Sequence, residues 1–552
     1  MVVFPRKRFC VIISLYIGEG GAVPFLRSVG GRFAGGVKYL RKGREKMKKR
    51  ILKSVAVCLA LLTLALAMFG CTKTGGNGSD TVDTIGSVST EGTGPVSKVP
   101  SNLQFDGAEV ILMASAHVST DEFAPENNSA IIDAAVIKRN LMVEERLGIK
   151  LDVQLRDEAV SGAYQDIIRN MILGGDGMAD IVTGNAYYTS TLASEGLFYD
   201  FNTVDEYNYT SPNLAWYNQS FVNNIAYKNK LYFLVGDVTL GATDRAPVVF
   251  FNEDGLETWQ IKDDIYEKAL AGQWTIEYMK GLIKNVYSDD DSVEGKSKED
   301  YFGLYFNGGS MAIDAMLASV GIVIAQKDAN GDMVMSWGTS NDVLGFKAIY
   351  DLMYNTDGVY TGTVAGGTYY GSTTSYYSEQ AFFEGRALFA TGMLSAAKSF
   401  ALDPELHFGM LPLPKLDESQ PYRTTPQDGF TVMAIPHNIA GRLDIATATL
   451  ETMSEYSYKE VRPVYYDTAY KIRYASSENT ARLFDTVIES IFYDFGTFYS
   501  NAMGNPVHQL RNKLTGTGTT LGSNLMSVTA QHNSAMKANL TKLLEKFDQN
   551  GN

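Results

Sequence analysis

Apolar and polar positions fall into three regimes along the chain. Val55 to Phe69 carries no charged residue, is dense in Leu and Ala, and follows Lys48, Lys49, Arg50 and Lys53. An apolar run of about fifteen residues is short for a membrane span but suits the centre of a secretion signal. From Thr72 to Ser101 the pattern reverses, with Gly, Ser, Thr and Asp and almost nothing apolar. That composition predicts a flexible coil reaching roughly 30 Å on average. Beyond Ser101 apolar residues recur with the periods of regular structure.

Glu109 to Ala114 reads as a short buried strand. Ser129 to Leu147 sets Ile132, Val136, Leu141 and Leu147 at helical spacing, with Gly148 as the stop, and Ile149 to Leu155 alternates as a strand. A helix over 159–173 leads into a strand at Ala179 to Val182. Pro247 to Asn252 is a further strand, followed by helices near 263–271 and 275–287. Strand 302–306 precedes helix 311–320, and Asn330-Gly331 predicts a hairpin across 324–337. From 441 onward helices dominate, over 441–453, 457–470, 477–489 and 522–548. Strands alternating with helices imply an α/β chain with largely parallel sheets covered on both faces. No internal repeat is visible.

Charge sharpens this division. The 552 residues carry a formal charge of −14, but residues 1–70 hold 14 Lys/Arg against 2 Asp/Glu. The rest therefore has 34 basic and 60 acidic residues, a net of −26. Such a body argues against nucleic acid and anionic membrane as binding partners. The three cysteines are Cys10, Cys58 and Cys71. Everything after Cys71 lacks a thiol, which excludes thiol catalysis, a disulfide framework and a Cys-ligated metal site there.

Ala67-Met68-Phe69-Gly70-Cys71 resembles a bacterial lipobox, in which the cysteine becomes acylated. Residues 47–70 are thus expected to be a lipoprotein signal peptide, and 71–101 a lipidated Cys71 with a flexible tether. The body is then expected outside the cell, anchored at the outer face of the cytoplasmic membrane. Residues 1–46 show no coherent pattern and are expected to be a gene-model extension ahead of a start at Met47.

Enzyme and metal motifs fail on inspection. Gly295-Lys296-Ser297 has a P-loop's tail, but Asp289 to Asp291 would repel phosphate. Gly516, Gly518 and Gly522 miss the dinucleotide spacing. The histidines at 117, 407, 437, 508 and 532 form no local ligand pair, so no metal or cofactor is expected. Asp328, Asn330 and Asp332 imitate a calcium loop without its distal Glu. Gly308-Gly309-Ser310-Met311-Ala312 sits between a strand and a helix, as a nucleophile elbow does, and keeps an extracellular hydrolase open as an alternative.

Several segments, in order, resemble the extracellular solute-binding proteins of bacterial ABC importers, in the sugar-type branch known as family 1. They are Asn128 to Leu147, Ala179 to Val182 with Leu197 to Phe201, Asn213 to Gly236, Phe250-Phe251-Asn252 and Gly272 to Thr275. Phe382 to Phe389, Leu411 to Pro414 and Asp428-Gly429-Phe430 complete the series. Glu253-Asp254 departs from the Lys usual after Asn252. The resemblance implies a periplasmic-binding-protein-like fold of class II, two α/β lobes with a hinge and an interlobe ligand cleft. Lobe one is expected at 101–245 plus 431–490, and lobe two at 246–430 plus 491–552. It further implies a non-enzymatic monomer that captures a small solute, a mono- or oligosaccharide, for ABC permease subunits. A solute-sensing or adhesion module without a transport role is a further alternative.

Thirty tyrosines follow residue 70. Saccharide sites stack aromatic rings on apolar sugar faces while carboxylates, amides and Arg bind hydroxyls. The cleft loops implied by the resemblance nominate Ser115, Asn185, Tyr187, Tyr188, Asp244, Arg245, Asn307, Met311, Asp428 and Tyr499 as ligand-binding residues. Asp244 and Arg245 could instead form an ion pair serving the hinge. His117 reads as a surface histidine, and Trp216 and Trp274 as packing residues. Tyr369, Tyr370, Tyr376 and Tyr377 occupy a Gly/Ser/Thr-rich loop that suits either a cleft rim or an exposed surface loop.

Overall fold

A computed structural model describes residues 95–550 apart from 126–129, 158–161, 176–178, 291–294, 362–376, 440, 475–477 and 516–524. The signal segment, Cys71, Tyr369, Tyr370, Tyr376 and the glycines at 516–522 lie outside the described residues.

Among the described residues the first six strands are β1 (Ala108–Ser115), β2 (Ile149–Arg156), β3 (Ile181–Asn185), β4 (Pro247–Asn252), β5 (Tyr287–Ser288) and β6 (Tyr301–Tyr305). Six more follow: β7 (Ala325–Lys327), β8 (Met333–Met335), β9 (Val359–Tyr360), β10 (Ala387–Met393), β11 (Phe408–Leu411) and β12 (Thr431–Ala434). The first sheet has the order β12-β3-β1-β2, with β1 parallel to both β2 and β3 and β12 antiparallel to β3. Helix Ile131–Leu147 makes the crossover between β1 and β2, and ends at Gly148 with φ 60°, a left-handed position that glycine adopts without strain.

The second sheet runs β11-β4-β10-β6-β5, with β9 added on β6. Its centre is buried on both faces, which is why Val248 to Phe251 and Ala387 to Ala390 form unbroken apolar runs with no exposure. Trp274 is fully buried against Phe389 and donates its indole N–H to the Pro412 carbonyl at 2.9 Å, a packing residue as its sequence context implied. Trp216 is likewise fully buried.

The chain crosses from the first sheet to the second just before β4 and returns just before β12. At these crossings β1 and β3 end in Ser115 and Asn185, where β12 begins through the Thr431–Asn185 pair. On the facing sheet β6 and β10 end and β4 begins, through the Met393–Pro247 pair. The carboxyl edges of the parallel strands thus meet at the crossings, where open α/β sheets build their sites.

The stretch 431–490, expected in the first lobe, divides. Helix Leu443–Tyr456 packs on helix Ile131–Leu147 of the first lobe. Helix Glu478–Glu489 lies on the second, where the Tyr266 and Thr480 hydroxyls stand 2.9 Å apart and Arg482 pairs with Glu267 at 2.9 Å. The last helix, Leu525–Asn550, packs along β8 and then reaches the first lobe. Phe547 stacks on Tyr232 there, with ring centroids 5.8 Å apart, and Asn550 donates to the Ser194 carbonyl at 2.9 Å. Apolar burial of these amphipathic faces, rather than chain order, decides which sheet each covers.

Candidate functional site

Helix Ala186–Ala193 begins where β3 stops. Asn185 caps it, its side-chain oxygen accepting the Tyr187 N–H at 2.9 Å and the Tyr188 N–H at 3.4 Å. That cap aims the next two rings away from the sheet. Tyr187 packs edge-on to Tyr188 at 4.9 Å and stacks on His508 at 5.4 Å with an interplanar angle of 16°. Its hydroxyl donates to Asn505 Oδ1 at 2.7 Å. Burial, and then the Asp428 carboxylate, raise the Tyr187 phenol above its ordinary pKa.

The return crossing supplies the acid. The backbone N–H of Tyr187 bonds the Asp428 carbonyl at 3.1 Å, and that of Ala186 bonds Phe430 at 2.9 Å. Gln427 donates to Asp428 Oδ1 at 2.5 Å and accepts Arg245 Nη1 at 2.9 Å. Asp428 Oδ2 stands 4.0 Å from His508 Nε2. Gly429 leaves room for these side-chain ends: a Cβ would lie 2.8 Å from Gln427 Oε1 and 3.2 Å from both Arg245 Nη1 and Asn185 Nδ2, so all three would have to shift.

Lobe two adds a buried pair behind this group. Arg511 donates to Asp314 Oδ2 at 2.7 Å, while Asp314 Oδ1 is buried without a partner. Burial pushes the Asp314 carboxyl up to about 7, opposed by Arg511 and reinforced by Asp428. Two phenol rings, an imidazole, a half-exposed carboxylate and amides thus converge at the crossings. The set offers flat apolar faces beside hydrogen-bonding groups of both kinds.

Of the residues expected from sequence, the structure gathers Asn185, Tyr187, Tyr188, Arg245 and Asp428 here. Ser115 is buried at the end of β1. Asn307 is buried beyond the end of β6, where its N–H bonds the Thr391 hydroxyl at 2.8 Å and its side chain takes the Gly309 N–H. Asp244 and Arg245 do not pair with each other. Successive residues in a helical turn diverge by about 100°, so Asp244 meets Lys398 at 2.7 Å and the hydroxyls of Tyr465 and Tyr470 at 2.6 Å each. Met311 and Tyr499 lie in the apolar core, 1% and 2% exposed, with Tyr499 ringed by Phe495, Phe498 and Phe547. His117 falls in helix Ala116–Phe123.

Sequence reading missed Asp314, Gln427, Asn505, His508 and Arg511. One signal was present: Asn505-Pro506 is a helix start, Asn505 having a φ of 61° and Pro506 opening helix Pro506–Thr515. Ser310 opens its helix without the positive φ of a nucleophile elbow, the described non-glycine residues in that region being Asp106, Lys228, Asn229, Gln260 and Asn505. Asp328 Oδ1 accepts the N–H groups of Asn330 and Asp332, which makes that segment a turn closed on itself. Among the described residues no His, Cys, Asp and Glu cluster suits a metal ion, and no helix is long and apolar enough to cross a membrane.

A larger open groove of about 780 Å3 lies elsewhere, between the loops near Asn208 and Asn229 and the β7–β8 hairpin. There Lys327 donates to the Asn223 carbonyl at 2.7 Å and Lys98 to the Thr210 carbonyl at 3.4 Å. Its lining includes none of Tyr187, Tyr188, Asp428 and His508, which mark the crossings.

No protein-family model and no curated protein sequence matches this chain. Among solved structures it is similar to UspC of M. tuberculosis, with a TM-score of 0.50 and 14% identity over 78% of this chain and 100% of that one. Maltose-bound MalE3 of T. maritima gives a TM-score of 0.48 and 13% identity over 79% of this chain and 100% of that one. An ABC transporter solute-binding protein from Agrobacterium radiobacter K84, in complex with ribitol, gives 0.46 and 13% over 80% and 99%. The fold is periplasmic-binding-protein-like of class II: two α/β lobes with an interlobe cleft.

Proposed function

We propose that this protein captures a mono- or oligosaccharide in the cleft between its lobes and delivers it to the permease subunits of an ABC importer. The observation that carries this reading is the grouping of Tyr187, Asp428 and His508 at the chain crossings, where both sheets present their carboxyl edges. Aromatic faces suit the C–H faces of a sugar ring, and the carboxylate and amides suit its hydroxyls. The ordered sequence segments that resemble sugar-type solute-binding proteins support the same reading. Binding needs no covalent step: solute that contacts both lobes favours the closed arrangement, and hinge motion at the crossings follows.

Acylation of Cys71 would hold the body at the outer face of the cytoplasmic membrane, with 71–101 as its tether. Replacing Cys71 by Ser should then release the protein to the medium and abolish palmitate labelling.

Isothermal titration of the purified protein against a panel of mono- and oligosaccharides tests the function. A dissociation constant of about 1 μM or tighter is expected for at least one saccharide. Silence across the panel, with heat on adding peptides, would overturn the sugar reading.

A further inference from the structure

The group at the crossings continues into a small, partly open notch of about 20 Å3 that shares Tyr187 and Asp428 with it. Ala186, Pro426, Phe430, Phe498 and the ring of Tyr493 form its apolar wall. A space of this size admits one water-sized group, since a water needs about 10–15 Å3 and at least two polar partners. Asp494, Thr497 and Thr425 along the notch are turned to other partners, whereas the Tyr493 hydroxyl is buried without one. Asp494 accepts the N–H groups of Ile324, Ala325 and Gly496 at 2.8, 3.1 and 2.9 Å, and the Thr497 hydroxyl at 2.6 Å. The Thr425 hydroxyl leans on the Phe492 carbonyl at 3.4 Å. What faces the space is mostly carbon. On the rim, Asp428 Oδ2 lies beyond hydrogen-bond reach of His508.

We infer that this notch is a subsite for a methyl group carried by the solute, an inference that rests on the saccharide reading of the cleft. A methyl is of roughly that size and asks for no polar partner, whereas a hydroxyl set against a wall that is mostly carbon loses most of its hydrogen bonds to water. Two sugar substituents present such a methyl, an acetamido group and the C6 of a 6-deoxy sugar. The acetamido N–H also finds an acceptor in Asp428 Oδ2.

The test is titration of the purified protein with matched pairs: N,N′-diacetylchitobiose against cellobiose, and 6-deoxyglucose against glucose. The methyl-bearing member of at least one pair should bind about tenfold tighter. Preference confined to the first pair assigns the acetamido group, and preference confined to the second assigns the 6-deoxy carbon. Ala186→Val, which sets added methyl groups into the notch, should bring the ratio close to one. The wild-type ratio decides the matter alone if that variant fails to accumulate. Equal affinities within both pairs overturn the subsite and leave the saccharide reading standing. A protein that binds no saccharide overturns both.

Discussion

Glu122 accepts the backbone N–H of Gly241 at 2.6 Å, and its second carboxylate oxygen bonds the hydroxyl of Thr431. One buried carboxyl therefore ties the outgoing crossing to the return crossing. Burial pushes it up to about 7, against the lowering influence of those two bonds and of Arg245, with Asp244 adding to the rise. Arg139 is buried beside it, its guanidinium lowered to about 9 by the same burial, and donates to the Glu122 carbonyl at 2.7 Å.

The sign of the resulting pH dependence follows. Asp237, Asp314, Glu379 and Glu451 are also pushed up to about 7 by burial. A carboxyl with a raised native pKa holds its proton more tightly folded than unfolded. Its stabilising contribution is complete below pH 4 to 4.5, the ordinary values, and is lost as pH rises through about 7. The melting temperature should therefore be several degrees higher at pH 5 than at pH 8. Glu122→Gln can keep both bonds, its amide donating to Thr431, and should reduce that difference. Glu122→Ala should cost about 2 kcal/mol. A melting temperature that climbs from pH 5 to pH 8 would refute the argument.

Asp180 and Arg442 make a second long-range tie. Asp180 meets Arg442 Nε at 2.6 Å and Nη2 at 2.9 Å, and its Oδ2 also accepts the Ile111 N–H at 2.9 Å. The carboxylate is 6% exposed and the guanidinium 44%. Asp180→Ala leaves the partly buried Ile111 N–H unmet and an arginine half in water, so it should cost about 2–3 kcal/mol. Arg442→Ala should cost roughly half as much if water can reach the orphaned acid. The midpoint of urea unfolding for each variant checks both.

Strongly periodic segments were legible. The helix expected over 129–147 forms as Ile131–Leu147, and the hairpin expected around Asn330-Gly331 forms as β7 and β8. The segment 457–470 reads as an ordinary helix but winds with i→i+5 bonding over Ser457–Val461 and Val464–Tyr474. The wider turn accompanies buried Tyr465 and Tyr470, whose hydroxyls both reach Asp244, so tertiary packing overrides the local period. The site was half legible for a similar reason. Asn185, Tyr187 and Asp428 follow or precede strands, and strand ends can be read from sequence. Asp314, His508 and Arg511 belong to helices whose inward face depends on what they pack against, more than a hundred residues away.

Asp494 shows how much a single unread residue can hold. Its carboxylate receives three backbone N–H groups and one hydroxyl, joining the start of β7 to the short helix Phe495–Phe498. Asp494→Ala would strand those donors in a buried site and should cost about 3–5 kcal/mol. The loss should appear locally first. Amide exchange at Ile324 and Ala325 should accelerate in the variant under conditions where the first sheet keeps its protection. Unchanged exchange at those two amides would show that water satisfies them.

The stacking of Tyr187 on His508 leads to the most direct test of the cleft. Tyr187 is half-buried, so its removal should move the melting temperature little. Tyr187→Phe keeps the ring and loses the bond to Asn505, and should weaken saccharide binding about threefold. Tyr187→Ala removes the ring face itself and should weaken binding about thirtyfold, or roughly 2 kcal/mol. Asp428→Ala should fall between them or beyond, since it deletes the exposed acceptor on the same wall. Titration of the three variants with the tightest saccharide from the panel gives the order. Wild-type affinity in Tyr187→Ala, at an unchanged melting temperature, would move the solute away from the crossings and toward the groove of about 780 Å3 beside the β7–β8 hairpin.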